Sequence, residues 1–373
     1  MTQPAIIILS SSALPVAGKI AAATGGTIHA LDGRGIEAGA VRFSNTAEHV
    51  RGLFGAGTPL IGIMAAGALI RMLAPMLNDK QTEPAVVAVA DVGSAVVPLL
   101  GGHHGANDLA RVIAEALGIK AAVTTAGDVR FGVALDAPPE GYRLANPENA
   151  KAVMAALVGG AKATLTGRAG WLEASGIPFA DDGAVEIVVS EKSVEAEPGL
   201  LHYAPQVLAL GIGCERGTEP QEAIALAERA LADAGLSRHA LAGVFSIDVK
   251  ADEAAVQAVA AHFGVAARFF DAAVVEAETP RLANPSDVVF AEVGCHGVSE
   301  GAALAAVGAD GALIVPKVKS KRVTVAIAKA AQPLDAAQIG GARGKLNVIG
   351  IGPGSDGWRS PEATALVGEA TEL

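Results

Sequence analysis

The first third of the chain alternates between short apolar runs and longer stretches in which apolar residues recur every three or four positions. The short runs have the length of strands, and they lie at residues 5–9, 59–64, 85–90, 95–100 and 121–124. The longer stretches have helical periodicity, and they lie at residues 14–23, 46–54, 66–76 and 107–117. Strands that alternate with helices build a mostly parallel sheet with helices on its faces. The pattern therefore predicts a first domain over residues 1–130.

A second alternation of the same kind begins at Val207. It predicts strands at residues 207–212, 243–247, 288–293 and 311–314. It predicts helices at residues 220–234, 253–263 and 299–307. Prolines punctuate residues 131–205, where a helix near 149–157 and a strand near 185–189 indicate a connecting segment or small subdomain. The predicted fold class is α/β, with two βαβ-type, mostly parallel-sheet domains, 1–130 and 206–330, joined by a less regular middle segment, 131–205.

The last residues differ from both series. Residues 331–344 are rich in Ala, Gln and Gly without a clear period, which is typical of a linker. A new strand is predicted at 346–351, and it runs into a glycine turn at 350–354. Because only about 20 residues remain after that turn, too few to fold alone, residues 345–373 are predicted to be the start of a third domain.

Composition and charge exclude several classes of partner. The formal net charge of -11 argues against nucleic acid and anionic membrane surfaces. The longest uncharged apolar stretch, residues 58–70, is shorter than the roughly 20 residues of a membrane span, and the first apolar run lacks the preceding basic residues of a secretory signal. Two cysteines, Cys214 and Cys295, are too few for a disulfide scaffold or a cysteine zinc site. We expect a cytoplasmic protein with a small-molecule partner, and a homodimer stays open.

Two loops with glycine and histidine precede Ala-rich helices. They lie at residues 102–108 and 294–300, and each follows a predicted strand. Asn107 and Ser299 are suitable N-cap residues, and the glycines let the backbone approach a ligand closely. Free N–H groups at a helix N-terminus favour anions, so each loop is a candidate anion cradle, although ordinary βα turns look alike. The predicted substrate contacts in these loops are Gly102, Gly105, Asn107, Ser299 and Glu300.

Histidine in such a loop suits proton transfer, because an imidazole titrates near neutral pH. The candidate catalytic residues are His103, His104 and His296. The other histidines are expected to have surface or satisfied roles: His29, His49, His202, His239 and His262. Adjacent histidines project in different directions and no third ligand has metal spacing, so we predict no metal site.

A third glycine turn, residues 211–218, lies between a predicted strand and a predicted helix. Arg216 stands where the dinucleotide fingerprint needs its third glycine, so a Rossmann cofactor is a weak hypothesis. Arg216, with Gly213 before it, suits carboxylate recognition instead. Asp248 and Lys250 end a strand at the edge where α/β sheets place ligands. Lys317, close to Lys319, either binds an anion or belongs to a solvated basic edge.

Together these motifs resemble the cobalt-precorrin-5A hydrolase (CbiG) family over nearly all of residues 5–330. The resemblance rests on residues 63–67 with Arg71, 74–75, 79–80, 84–87, 99–107, 211–217, 247–253 and 297–304, and on Pro316-Lys317. It implies an enzyme of cobalamin biosynthesis in which water opens the δ-lactone of a tetrapyrrole and a two-carbon unit leaves as acetaldehyde. It also implies that the hydrolase needs no cofactor, and whether the precorrin carries cobalt stays open.

Within this resemblance, we hypothesise that His103 or His104 shares proton transfer with His296. Separated cations suit a polycarboxylate macrocycle, and three are assigned to its carboxylates: Arg216, Lys250 and Lys317. Two alternatives remain, a non-catalytic corrinoid carrier or chaperone and one part of a bifunctional fusion.

The fusion alternative comes from the tail. Residues 345–354, with Trp358 and residues 361–363, are similar to the opening of tetrapyrrole methyltransferases, especially the precorrin-3B ring-contraction (CobJ-like) enzyme. That resemblance implies that S-adenosylmethionine binds only in the part of the methyltransferase that is missing here.

Overall fold

The computed structural model describes residues 3–33, 40–78, 82–102, 105–124, 126–344, 348–350 and 360–369. The chain divides into two compact units. The first contains residues 1–190 and 194–204, and the second contains residues 191–193 and 205–373. Residues 191–193 belong to the second unit because Ser193 N donates to Gly235 O and Ser237 N donates to Glu191 O.

The first unit begins with a six-stranded sheet. Its strands are β1 (Ala5–Ile8), β2 (Thr27–Leu31), β3 (Val41–Phe43), β4 (Leu60–Ile63), β5 (Val86–Val89) and β6 (Val96–Leu100). The order is β3-β2-β1-β4-β5-β6, and the neighbours are parallel except for β6, which is antiparallel to β5. This antiparallel last strand decides where the following loop lies.

Helices cover both faces of this sheet. The helices are α1 (Leu14–Thr24), α2 (Thr46–Gly55), α3 (Ala66–Leu73) and α4 (Ala106–Leu117). Ile6 and Ile8 of β1 pack with α1 and α4, whereas Ile7 packs with α2 and α3. Successive strand residues point to opposite faces, so a strand buried on both sides appears in the sequence as a continuous apolar run.

The middle residues form a second sheet in the same unit. Its strands are β7 (Tyr142–Leu144), β8 (Ala163–Thr166), β9 (Val185–Val189) and β10 (Leu200–Pro205), in the order β7-β10-β9-β8. The accompanying helices are α5 (Ala126–Phe131), α6 (Ala150–Val158) and α7 (Gly170–Glu173). Trp171 meets the buried Tyr203 edge to face at 5.1 Å, and Tyr203 Oη donates to Leu135 O. The predicted middle segment thus has a hydrophobic core of its own.

The second unit has a five-stranded sheet. Its strands are β11 (Leu208–Cys214), β12 (Leu241–Ile247), β13 (Ala266–Phe270), β14 (Ala312–Lys319) and β15 (Val323–Lys329). In the order β13-β12-β11-β15-β14, the first three are parallel, and β15 is antiparallel to both of its neighbours. The helices are α8 (Pro220–Asp233), α9 (Ala254–Phe263), α10 (Ala272–Ala277), α11 (Asp287–Val293) and α12 (Val298–Val307). Helix α12 packs against β11, β12 and β15.

The predicted α/β class with mostly parallel sheets is confirmed, but several predicted elements are wrong. Residues 288–293 form helix α11, because the Ser286 side chain accepts from Val289 N at its start and Gly294 ends it with a positive φ of 76°. These caps override the strand propensity of its valines. Residues 121–124 form only an isolated bridge between Ala121 and Val96. Other observed strands were not predicted from the sequence: β2, β3, β7, β8, β10, β13 and β15.

The predicted linker, residues 331–344, is attached to β13. Arg268 donates to the carbonyl oxygens of Ala337, Ile339 and Gly340, and Phe269 and Gly341 exchange two backbone hydrogen bonds. Farther on, α13 (Pro361–Glu369) is described. The predicted strand and glycine turn at 346–354 lie outside the described residues except for 348–350, so the methyltransferase start stays a prediction. In the described ranges, no helix is long and apolar enough to cross a membrane.

Candidate active site

His296 lies in the short loop between α11 and α12, and a carboxylate holds it on one side. The His296 backbone N–H donates to Glu276 Oε2 at 2.9 Å, and His296 Nδ1 lies 2.9 Å from Glu276 Oε1. Thr279 Oγ1 donates to Glu276 Oε2 at 2.9 Å. The side-chain hydrogen bond from His296 keeps the pKa of Glu276 below its ordinary value, although desolvation opposes it. Glu276 thus holds both the backbone and the ring of His296.

The other ring nitrogen of His296 faces an exposed carboxylate. His296 Nε2 lies 3.5 Å from Asp287 Oδ1, and the Asp287 side chain is fully exposed. Phe290 stacks on the imidazole with ring centroids 4.5 Å apart. The His296 side chain is 25% exposed, so part of it is accessible to solvent. A histidine held at one nitrogen and accessible at the other can exchange protons with a bound substrate.

The loop of His296 lies at the carboxyl edge of the second unit's parallel strands. Its buried neighbour Cys295 packs with Ile247 and Phe270, which are the last residues of β12 and β13. Asp248 and Lys250 follow β12 in a 3-10 turn. Lys317 lies near the end of β14, beside Val318, which pairs with Val325 of β15. The structure therefore brings His296, Asp248 and Lys317 to the edge at which α/β sheets place ligands.

A buried carboxylate fixes the segment before α11 to strand β14. Glu300 is 1% exposed, and it accepts from Asn284 N, Asn284 Nδ2 and Lys317 N at 2.9, 2.8 and 2.8 Å. Burial raises the pKa of Glu300, but these hydrogen bonds outweigh it and leave the pKa below its ordinary value. Lys317 Nζ donates to Asn284 O. These hydrogen bonds give Glu300 a structural role within the chain. Its predicted contact with the substrate stays a prediction.

Arg216 already has a carboxylate partner within the chain. Its guanidinium donates to both oxygens of Asp252, at 2.9 and 3.0 Å, and to Val249 O at 2.9 Å. The Arg216 hydrogen bond keeps the pKa of Asp252 low. Arg322 donates to Gly217 O and Arg216 O and so holds the glycine turn from the other side. A substrate carboxylate at Arg216 would compete with Asp252.

The glycines of the third turn have packing roles. A Cβ on Gly211 would lie 1.9 Å from Ser299 O, and one on Gly213 would lie 3.3 Å from Val298 Cβ. The start of helix α12 therefore rests directly on strand β11. In the same turn, burial raises the pKa of the Cys214 thiol, which disfavours the thiolate that a nucleophile needs.

The first glycine-histidine loop has a different setting. His103 and His104 lie outside the described residues. Because β6 is antiparallel to β5, the loop after β6 lies at the amino edge of the parallel strands, where a Cβ on Gly101 would lie 2.3 Å from Pro84 O. Gly102 has open space around its Cα hydrogen, and Gly105, with φ of 80°, precedes helix α4.

The predicted N-caps in both loops are wrong. Helix α4 is preceded by Gly105 and helix α12 by Gly297, so Asn107 and Ser299 each occupy the second helical position. Ser299 is buried there. The second loop also follows helix α11, not a strand. In both cases the helix starts earlier than the polar residue suggests, because glycine can occupy the cap position as well.

Glu276 and Asn284 were not predicted as site residues, because neither belongs to a local motif. Their partners lie 20 and 16 residues away, at His296 and Glu300. Another side-chain pair lies in the first unit, where His29 Nδ1 is 2.9 Å from His49 Nε2. Burial lowers the pKa of both rings. Among the described residues, no three His, Cys, Asp or Glu side chains are grouped to hold a metal ion.

The fold and the site define a two-unit α/β protein with a carboxylate-bound histidine at the carboxyl edge of its second sheet. Residues 48–128 match the family Cobalamin synthesis G N-terminal, and residues 208–328 match Cobalamin synthesis G C-terminus. A cobalt-precorrin-5A hydrolase from Priestia megaterium is 33% identical over 300 residues, which cover 74% of this chain and 79% of that protein. The chain belongs to the CbiG family of cobalamin-synthesis proteins.

Two further comparisons cover different parts of the chain. Protein CobE from Sinorhizobium sp is 57% identical over 121 residues, which cover 32% of this chain and 79% of CobE. A crystal structure of a cobalamin biosynthesis protein G homolog from Sulfolobus solfataricus is 21% identical and covers 88% of this chain and 97% of its own, with a TM-score of 0.34.

Proposed function

We propose that this chain is an enzyme of cobalamin biosynthesis that hydrolyses the δ-lactone of cobalt-precorrin-5A. Membership of the CbiG family supports the reaction class, and the relative from Priestia megaterium carries that activity in its name. The observation that carries the proposal is the partly exposed His296 at the ligand edge of the sheet, with Nδ1 held by Glu276 and Nε2 turned toward the exposed Asp287. Lactone hydrolysis requires such a base for water.

The proposed reaction has two steps. First, His296 Nε2 takes a proton from water while the water oxygen attacks the lactone carbonyl carbon, the ring C–O bond breaks, and the leaving oxygen receives the proton. The products are a carboxyl group and a hydroxyl on the two-carbon unit. Second, that hydroxyl loses its proton, the bond from its carbon to the macrocycle breaks, and acetaldehyde leaves while the macrocycle carbon takes up a proton. Water supplies every atom added, so we propose that no cofactor takes part and that any cobalt belongs to the substrate.

Substrate placement is part of the proposal. Lys317 and Lys250 are near the same edge as His296 and are proposed to hold carboxylates of the tetrapyrrole. Arg216 would join them only by leaving Asp252. The hypothesis that His103 or His104 takes part in proton transfer stays a prediction, because both residues lie outside the described residues. The cytoplasmic location and the homodimer stay predictions.

The test is anaerobic incubation with cobalt-precorrin-5A, trapping acetaldehyde with a hydrazine and detecting the adduct by mass spectrometry. We expect catalytic release of acetaldehyde, and a loss of about 100-fold or more in His296→Ala. The matched control is His262→Ala, because His262 also pairs with a glutamate, Glu228, at 2.8 Å but belongs to helix α9. Binding of the precorrin without acetaldehyde would reject the hydrolase and favour a corrinoid carrier.

A further inference from the structure

We infer that Glu276 is a positioning residue that selects which nitrogen of His296 exchanges protons. The inference rests on the proposed function for its consequence in turnover, but the structural part concerns only these two side chains. Glu276 lies in helix α10 and contacts His296 at the backbone and at the ring. It therefore fixes the ring through two separate hydrogen bonds.

The chemistry of a carboxylate decides where the proton is. An ionised carboxylate has acceptors only. Glu276 Oε1 lies 2.9 Å from Nδ1, within hydrogen-bond distance, whereas the exposed Asp287 Oδ1 lies 3.5 Å from Nε2, so a neutral ring should carry its hydrogen on Nδ1. The hydrogen bonds from His296 and Thr279 favour the ionised form of Glu276. With the hydrogen on Nδ1, the lone pair of the neutral ring is at Nε2. Nε2 is then the nitrogen that can accept a proton from water.

The orientation of the ring is also fixed. Phe290 stacks on the imidazole at an interplanar angle of 24°. Ser286 N donates to His296 O at 2.8 Å, which ties the backbone of the loop to the start of α11. If the ring rotated by half a turn, a carbon atom would take the place of Nδ1 opposite Glu276. The hydrogen bond between the ring and Glu276 would then be lost. Nε2 therefore stays on the side away from Glu276, 3.5 Å from the exposed Asp287 carboxylate.

The His262–Glu228 pair shows what is special about Glu276. Glu228 contacts His262 at Nε2, at 2.8 Å, and the two side chains are 30% and 50% exposed, against 25% and 33% for His296 and Glu276. In the described part of the chain, Glu228 makes no hydrogen bond to the His262 backbone, whereas His262 O accepts from Arg238. An exposed pair of this kind contributes little to stability. It provides a chemically matched control.

The experiment measures the histidine tautomer in protein labelled with 15N-histidine, by long-range 1H–15N correlation at about pH 8.5, above ordinary imidazole titration. We expect the wild-type His296 signal, identified by its loss in His296→Gln, to show hydrogen on Nδ1.

In Glu276→Gln, the amide oxygen must accept from the His296 backbone N–H, so the amide NH2 faces Nδ1 and donates to it. The hydrogen should move to Nε2, and kcat should fall by about 100-fold or more with little change in KM.

Two further variants keep the test decisive. Glu276→Asp preserves an acceptor-only group, so it should retain the Nδ1 tautomer and lose less activity than Glu276→Gln. Glu228→Gln should alter neither the His296 signal nor turnover.

A wild-type His296 with hydrogen on Nε2, or a tautomer that is unchanged in Glu276→Gln, would overturn the inference. So would a switched tautomer with full turnover. A wild-type protein with the expected tautomer but no acetaldehyde would instead reject the proposed function.

Discussion

The loops before helices α4 and α12 resemble each other in sequence and differ in surroundings. Both helices are preceded by glycine, and both loops contain histidine. The first loop follows the antiparallel strand β6 and lies at the amino edge of its sheet. The second follows helix α11 and lies at the carboxyl edge, where Glu276 holds His296. The same local pattern therefore has two different placements.

The difference teaches that distant residues, and not the local glycine-histidine pattern, set the surroundings of each loop. Glu276 of helix α10 holds the His296 ring, and the loop of His296 is placed by the close contact of α12 with Gly211. At the first loop, Gly101 is needed for the approach to Pro84, while Gly102 faces open space. Three substitutions distinguish residues that are needed for packing from a residue that is predicted to bind the substrate.

The largest effect is expected for Gly211→Ala, which disrupts the placement of the second loop. The added Cβ would lie 1.9 Å from Ser299 O, so helix α12 must move away from β11. We expect a loss of about 3 kcal/mol or more in the free energy of unfolding, measured by denaturant titration. Gly52→Ala is the control, since its Cβ meets no atom within 4 Å in helix α2, and it should gain about 0.5 to 1 kcal/mol. Equal stabilities would refute the close contact.

A smaller effect is expected for Glu300→Gln, which loosens α12 from the segment containing Asn284. An amide NH2 would face one of three N–H donors, so we expect a loss of about 2 to 3 kcal/mol at pH 7. The folded-state pKa of Glu300 is lowered, so its contribution is present above the unfolded pKa and disappears as pH falls through the folded value. The variant should therefore lose less stability on acidification below about pH 4.5 than wild type does.

Denaturant titrations at several pH values measure this difference. Glu219→Gln is the control, because Glu219 is exposed and its side chain makes no cap hydrogen bond, and it should change stability by less than about 0.5 kcal/mol. Parallel acid curves for wild type and Glu300→Gln would contradict the assigned network.

The smallest effect on stability is expected for Gly102→Ala, which tests the first loop for binding. Its Cβ would meet no atom within 4 Å, so the free energy of unfolding should change by less than about 0.5 kcal/mol. If the backbone of this loop approaches the precorrin, KM should rise while kcat changes less. Gly101→Ala provides the contrast, because φ of 73° and the contact with Pro84 O make it destabilising. An unchanged KM in Gly102→Ala would remove this loop from the substrate site.

Much of the fold was predictable because it is encoded locally. Strands β1, β4 and β5 are buried on both faces, so their apolar runs are continuous in the sequence. Helices α8 and α9 were predicted within about one residue of their observed ends. Short strands with mixed polarity, such as β2 with His29, give no such signal. Helix α11 was mistaken for a strand because its valines outweighed the caps at Ser286 and Gly294.

The sequence by itself determined the α/β class, the resemblance to the CbiG family and the candidate His296, because periodicity and short motifs are properties of neighbouring residues. Only the tertiary structure decided that β6 runs antiparallel, which puts the first loop at the amino edge. It alone brought Glu276 to His296 and Asn284 to Glu300. Strand direction and side-chain hydrogen bonds depend on how distant segments pack, and no local pattern specifies that packing.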